Sequence, residues 1–290
     1  MNILPLEDPF HRPLRLISDL HLGHDISTVE SAESLRPLIA GAGTLIFNGD
    51  TCQETGTTFR LKGQRMLADL HRICAEEKVE TVFLRGNHDP HAPGPDLVDL
   101  AGGRATVIHG DILLPLISPW SIHVHEFRPA LEKIHAEYSA QDRRRLEVRI
   151  EIVRRCREVL PAASTTQKGK SLKARSALFF REIWPPRRPW EVLKVWARLP
   201  GIASDFMDEF RPQAEVLIFG HTHRPRVWRR RGRLLVNTGA FVTFAKPLIV
   251  EFMPQGLTVH RVELKGGQWR AKPSFVQHSW HGPPAFSALS

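Results

Sequence analysis

Short apolar runs rich in β-branched residues recur along the chain, and a polar motif follows each run at once. The runs are apolar on both faces, as expected for strands that are buried between helical layers. This pattern predicts a buried sheet whose strand ends carry the polar residues. The runs are residues 14–18, 44–47, 81–84, 105–108 and 215–219.

Helical spacing of apolar residues lies between several of these runs, at Val29–Ala40 and Arg60–Lys78. Strands that alternate with helices imply a largely parallel sheet, with functional sites at the carboxyl ends of the strands. Farther along, strand-like segments at residues 234–237, 247–252 and 257–264 predict an antiparallel closing section or a second sheet.

The region from about Phe127 to Arg211 does not follow the strand-and-motif pattern. Residues 130–160 predict one long helix or a helical hairpin, residues 161–175 a polar loop, and residues 176–199 mix Phe and Trp with basic residues. We therefore interpret the chain as a core at 1–127 and 212–265, a basic helical cap inserted at 128–211, and an irregular tail at 266–290.

The charge distribution supports this division. The 290-residue chain has a formal net charge of +9, and residues 128–198 alone hold 18 Lys and Arg against 8 Asp and Glu, a difference of +10. The remainder of the chain is therefore close to neutral. No apolar run reaches the roughly 18 residues that a membrane span needs, and the N-terminus lacks a signal-peptide pattern, so we expect a cytoplasmic protein.

The three cysteines form no Cys-x-x-Cys pair and are odd in number. They suggest neither a zinc knuckle nor a disulfide framework, and we expect buried thiols in a reducing compartment. They are Cys52, Cys74 and Cys156.

Five polar motifs follow the apolar runs and supply carboxylate, carboxamide and imidazole donors. Such donors suit divalent cations. Two cations about 3.5–4 Å apart activate a water between them and clamp a phosphate ester. The motifs are Asp19-Leu20-His21, Gly49-Asp50, Gly86-Asn87-His88-Asp89, His109-Gly110 and Gly220-His221-Thr222-His223.

The local chemistry of each motif fits a paired-metal site. Asp50 follows a glycine and can bridge two ions through its two carboxylate oxygens, while Asn87 offers a neutral oxygen. His221 and His223 share one face of an extended segment. Each motif alone is common, since Gly-Asp is also an ordinary turn. All of them in order, each after a predicted strand, indicate a metal centre.

These motifs closely resemble the calcineurin-like metallophosphoesterase superfamily, whose pattern is D-x-H, G-D, G-N-H-[DE], H and G-H-x-H. The resemblance implies an α/β fold, a four-layer α/β/β/α sandwich, with two divalent metal ions at the strand ends. It implies Mn²⁺, with Fe, Zn or Co as alternatives. One ion would be held by Asp19, His21, Asp50 and His223, and the other by Asp50, Asn87, His109 and His221.

The resemblance also implies a reaction. A hydroxide that bridges the ions attacks phosphorus, and His88 matches the catalytic histidine that protonates the leaving alkoxide. Asp89 matches the acid that orients His88 through a hydrogen bond. We therefore expect a hydrolase of phosphodiester or pyrophosphate bonds, although proteins of this fold can also act as non-catalytic scaffolds.

Three segments resemble the branch of UDP-2,3-diacylglucosamine pyrophosphatases, namely residues 18–23, 108–111 and 220–225. That branch places a helical cap between the same two motifs to hold acyl chains, which implies a lipid-linked nucleotide as substrate. The branch typically has arginine where His88 stands, so a related enzyme or a generic phosphodiesterase stays open.

The composition of the cap permits three interpretations. Basic helices with Trp and Phe suit an anionic membrane or a lipid-bearing substrate. Basic residues between aromatics also suit single-stranded nucleic acid. Alternatively, the aromatics pack the cap onto the core, and the arginines form a solvated face paired with Glu132, Glu137, Glu147 and Glu151.

Overall fold

The computed structural model describes residues 3–5, 12–54, 57–121, 123–160 and 187–280. Its strands form two six-stranded sheets, which we name sheet I and sheet II. Sheet I has the order β12-β11-β10-β2-β3-β4, and sheet II has the order β1-β5-β6-β7-β9-β8. Sheet I is antiparallel from β12 to β2 and parallel from β2 to β4. Sheet II is parallel across β6, β7 and β9 and between β1 and β5, and its β5–β6 and β8–β9 pairs are antiparallel.

The strands of sheet I are short where they lead to the motifs and longer toward the C-terminus. They are β2 (Leu14–Ile17), β3 (Thr44–Asn48), β4 (Glu80–Leu84), β10 (Leu248–Met253), β11 (Gly256–Lys265) and β12 (Gln268–Ser279). The strands of sheet II are β1 (Ile3–Pro5), β5 (Leu97–Leu100), β6 (Ala105–Ile108), β7 (Val216–Phe219), β8 (Arg226–Arg230) and β9 (Arg233–Asn237).

The helices agree with the predicted positions in part. The first predicted helix is a 3-10 turn at Ala32–Leu35 followed by the short α1 (Arg36–Ile39), and the second is α2 (Thr57–Glu76). Residues 130–160 contain the hairpin alternative rather than one long helix. Its helices are α3 (Val124–Ala136) and α4 (Leu146–Glu158), and α5 (Arg187–Phe210) follows later in the chain.

Three apolar layers hold the two sheets and the helices together. Side chains such as Leu16 and Val250 of sheet I meet Val107 of sheet II between the sheets. Helices α1 and α2 cover the outer face of sheet I, and α4 and α5 cover the outer face of sheet II. The arrangement is the predicted four-layer α/β sandwich, in which each sheet buries both faces.

Helix α5 lies inside the predicted cap, yet it packs directly on sheet II. Leu199 and Phe206 of this helix are buried against Phe219 and Leu235 of the sheet. The aromatic and basic stretch at residues 161–186 lies outside the described residues, and the boundaries of the cap stay a prediction.

The prediction of an irregular tail from residue 266 is wrong for residues 268–279. These residues form β12, which pairs antiparallel with β11 along most of its length and makes one edge of sheet I. Its backbone hydrogen bonds and the burial of Trp269 stabilise the strand, although most of its side chains are exposed. Residues 281–290 lie outside the described part of the chain.

Among the described helices, none is both long enough and apolar enough to cross a bilayer.

Candidate metal centre

The predicted ligands follow strands of both sheets at one end of the sandwich. Asp19 follows β2 and Asp50 follows β3, while His109 follows β6 and His221 follows β7. Backbone hydrogen bonds join the loops, because the Asp19 N–H donates to the Gly49 carbonyl at 3.1 Å and the His21 N–H to the Asp50 carbonyl at 2.9 Å. The strand ends therefore bring together side chains that lie more than two hundred residues apart in the sequence.

The first cluster comprises Asp19, His21, Asp50 and His223, whose donor atoms all lie within 4.8 Å of one another. The two Nε2 atoms of His21 and His223 are 3.1 Å apart. The His223 Nε2 is 3.3 Å from the Asp19 carboxylate, and the His21 Nε2 is 3.7 Å from that of Asp50. These four side chains can hold one cation.

The second cluster uses the same Asp50 carboxylate together with His109 and His221, again within 4.8 Å. The His109 Nε2 lies 3.4 Å from Asp50 Oδ2 and 3.3 Å from Asn87 Oδ1. The Nε2 of His221 lies 2.8 Å from the Ile117 carbonyl. The structure thus brings all seven predicted ligands into two clusters that share Asp50.

The backbone at the clusters is unusual for residues that are not glycine. Among the described residues, nine that are not glycine adopt positive φ, and five of them are Asp19, His21, Asp50, His221 and His223. Left-handed conformations of this kind cost about 1–3 kcal/mol each and gather at functional sites. Most of the donors are buried and all are closely packed, His223 is partly exposed, and five have a left-handed backbone, so together they fit a cation.

An unpaired polar atom supports the same conclusion. The Nδ1 of His21 is buried and has no hydrogen-bond partner among the described residues, although buried polar atoms are normally paired. Two glycines make the close packing possible. A Cβ atom at Gly220 would overlap the Asp19 carboxylate, and one at Gly86 would overlap that of Asp50.

Burial governs the protonation of the imidazoles. Desolvation lowers the pKa of His221 to about 4 and holds that of His21 well below its ordinary value. Both rings are therefore neutral at pH 7, which is the form that binds metals. Although burial opposes the effect, the Asp50 carboxylate raises the pKa of His109 to about 10.

His88 lies beside the first cluster, with its ring centroid 4.8 Å from that of His21. The His88 N–H donates to Asp50 Oδ1 at 2.8 Å. The ring Nδ1 is 2.9 Å from Oε1 of Gln53, a buried residue that the motif analysis missed. The sequence signal for Gln53 is that a polar residue stands three positions after Asp50, the carboxylate that both clusters share.

The predicted hydrogen bond from Asp89 to the ring of His88 is wrong. The Asp89 carboxylate instead accepts the backbone N–H groups of Asp50, Thr51 and Gly86, at 2.8, 2.7 and 2.9 Å. Burial, as the largest cause, and repulsion from the Asp50 carboxylate, as the second, together raise the pKa of Asp89 to about 8. Asp89 therefore positions the loop that carries the shared ligand.

Asn237 fixes the loop of the last motif. Its Nδ2 donates to the Gly220 carbonyl at 3.0 Å and to Thr222 Oγ1 at 2.8 Å. On the other side of the loop, the Trp196 Nε1 donates to the Thr222 carbonyl at 3.1 Å, so α5 reaches the rim of the centre.

The sequence profile of the calcineurin-like phosphoesterase family matches residues 13–225, which carry every ligand of both clusters. The chain belongs to this family. No curated protein matches the chain.

Several solved structures resemble it at low identity. Vacuolar protein sorting 29 from Cryptosporidium parvum is 13% identical, over 93% of this chain and 100% of that one, with a TM-score of 0.45. A predicted phosphoesterase from Streptococcus pneumoniae is 15% identical, over 91% and 97%, with a TM-score of 0.33. The cold-active protein-tyrosine phosphatase of a Shewanella species is 15% identical, over 90% and 80%, with a TM-score of 0.38.

Proposed function

We propose that the protein is a dimetal-dependent phosphoesterase that hydrolyses a phosphodiester or pyrophosphate bond. The observation that carries this proposal is the pair of donor clusters that share the Asp50 carboxylate, with His88 beside them. Two bound cations, Mn²⁺ by family resemblance, supply Lewis acidity that activates water and neutralises charge on the phosphoryl oxygens.

The residues of the chain divide this work. Asp19, His21 and His223 hold one cation with Asp50, and His109, His221 and Asn87 hold the other. The clusters lie at the end of the sandwich where both sheets present their loops, so a phosphoryl group can approach both at once. Burial of the donors keeps competing water away from the ligand atoms and strengthens their electrostatic pull.

His88 acts as the general acid in this proposal. Its Nδ1 faces the Gln53 carbonyl oxygen, so Nδ1 carries a hydrogen and Nε2 exchanges a proton with the leaving oxygen. Its backbone is tied to the shared ligand Asp50. Burial lowers the pKa of His88, so the protonated ring is a stronger acid while a smaller fraction of it is protonated at neutral pH.

The test measures hydrolysis of an aryl phosphodiester and of UDP-2,3-diacylglucosamine, each with Mn²⁺ and with chelator. We expect metal-dependent hydrolysis, and His88→Ala should retain two metal equivalents while its rate falls by about 10²–10⁴-fold. His91→Ala is the matched control, because His91 is an exposed histidine three positions away, 3.8 Å from Glu158.

Each result bears on a different part of the proposal. Preference for the lipid nucleotide would support the pyrophosphatase-like branch. Loss of metal from His88→Ala would contradict its role as an acid. A wild-type protein that binds two metal equivalents yet hydrolyses neither ester would support a non-catalytic scaffold instead.

A further inference from the structure

A concave surface begins near the metal centre and runs away from it. This groove, which we name the β8–β12 groove, has a volume of about 970 Å³ and lies between edge strand β8 of sheet II and edge strand β12 of sheet I. Its apolar floor includes Val227, Leu248 and Val276, which also contribute to the core between the sheets.

The walls of the groove carry five basic residues against one acidic residue, Glu263. Lys272 pairs with Glu263 at 2.5 Å. The other four have no acidic partner among the residues that the structure describes, and all of them are exposed. They are Arg226, Arg229, Lys246 and Arg261.

Such a concentration of unpaired cations around an apolar floor is complementary to a polyanion that also has apolar faces. The Arg261 guanidinium already lies 4.7 Å from the ring centroid of Phe275, which is itself 40% exposed. The same stacking geometry suits a nucleic-acid base against a ring or a guanidinium plane.

The groove starts at the end of the sandwich that holds the metal ligands. Arg226 is the register partner of Asn237, which donates hydrogen bonds to the loop of His221 and His223. Pro225 and Lys246, both in the groove wall, flank Gly239 just beyond Asn237. Along β8 the groove wall then runs from Arg226 to Arg229, roughly 10 Å at the rise of an extended strand.

We propose that the β8–β12 groove binds single-stranded nucleic acid, with backbone phosphates on Arg226, Arg229 and Lys246 and bases toward the apolar floor. The bound nucleic acid would lead toward the metal centre. Its delivery to that centre for hydrolysis rests on the proposed phosphoesterase function. A duplex is a poorer fit because its bases are hidden from the floor. A membrane is a poorer fit because the floor residues Val227, Leu248 and Val276 are recessed, although Leu264 and Phe275 at the rim are exposed, whereas interfacial binding needs a protruding apolar face.

The experiment measures fluorescence anisotropy of a labelled oligo-dT with the full chain, across a salt series and with chelator present so that hydrolysis is blocked. The groove variant is R226A/R229A/K246A. The control variant K133A/R144A/R145A removes the same charge from exposed residues of the predicted cap. Circular dichroism and melting temperature verify that both variants are folded.

We expect the groove variant to weaken oligo-dT binding by about tenfold or more. The slope of log K against log salt should fall by about 2, since each lost phosphate contact on a single strand contributes roughly 0.7. The control variant should bind as the wild type does.

Three results would overturn the proposal: no binding by the wild type, equal or greater loss in the control variant, or tighter binding of duplex or of phosphatidylserine vesicles than of oligo-dT. The proposed phosphoesterase function fails separately. If oligo-dT binds at the groove with chelator present but the wild type never hydrolyses an aryl diester with Mn²⁺, the groove stands and the activity does not.

Discussion

Arg157 of α4 offers a quantitative test of how the helices behind sheet II are held. Its side chain is only 2% exposed. It donates to both carboxylate oxygens of Asp111, at 2.7 and 3.0 Å, and to Asp96 at 2.6 Å. Asp111 lies two residues beyond the ligand His109, so this network supports the wall of the metal centre.

Replacing Arg157 with Met removes the cation and leaves the two carboxylates buried. Asp96 keeps Arg85 at 3.2 Å and Arg154 at 2.8 Å, whereas Asp111 keeps only the N–H of Ile112 among the described residues. Breaking a buried pair by removing one partner costs about 3–5 kcal/mol, because an uncompensated charge stays behind. We expect a loss of that size in the free energy of unfolding.

Urea unfolding followed by circular dichroism measures the change from the shift in midpoint at constant m. Arg155→Met is the control on the same helix, since Arg155 forms an exposed pair with Glu137 at 2.6 Å. It should leave the midpoint nearly unchanged, because exposed pairs add little. If Arg157→Met lowers the urea midpoint no more than Arg155→Met does, the expected cost of a buried unpaired carboxylate is refuted.

The pH dependence follows from the same contact. Although burial opposes it, Arg157 lowers the pKa of Asp111 in the folded state. The pair therefore contributes stability that is fully present above the unfolded value of about 3.9 and is lost as the pH falls through the folded pKa. The difference between wild type and Arg157→Met should accordingly shrink below about pH 4.

Two further predictions concern the metal ligands and the thiols. Asp50→Asn should lower the bound metal from two equivalents to below one, because both clusters use this carboxylate. Elemental analysis measures the loss, and Asp69→Asn on the exposed face of α2 should retain both ions. Burial raises the pKa of Cys52 to about 12 and those of Cys74 and Cys156 to about 11. A disulfide-exchange reagent at pH 8 should therefore label no thiol in the native protein and three after denaturation, and rapid labelling of native Cys52 would contradict the burial argument.

The grouping of the ligands was predictable because it depends on local rules. Each motif follows a short buried strand, and strand ends of open α/β sheets collect at one edge. The extended segment predicted for His221 and His223 is wrong, because both residues adopt positive φ and each joins a different cluster. The shared position of Asp50 was also predicted before any geometry was known.

Other features depend on tertiary contacts that no local pattern reports. Asp89 is adjacent to His88 in sequence, yet its carboxylate meets backbone N–H groups from a different strand loop. Gln53 takes the contact with the ring instead. Strand β12 escaped prediction because most of its side chains are exposed and show little alternation.

The charged residues of the predicted cap fall into a surface group and a buried group, and composition does not distinguish the two. Glu132, Glu137 and Glu147 do lie within ion-pair distance of arginines, as the solvated-face interpretation expects. Arg157 and Arg154, three positions apart on α4, instead reach Asp96 on the core. Sequence shows a single basic region, while packing separates surface charges from buried ones.

The origin of the ligands has a mechanical consequence. Asp19 and His21 extend from sheet I, whereas His223 extends from sheet II, and the second cluster likewise joins Asp50 to His109 and His221. Any cation bound there would join one sheet to the other at this end of the sandwich. Separation of the sheets would then require loss of the metal, so the melting temperature would rise with the logarithm of the free metal concentration once that concentration exceeds Kd.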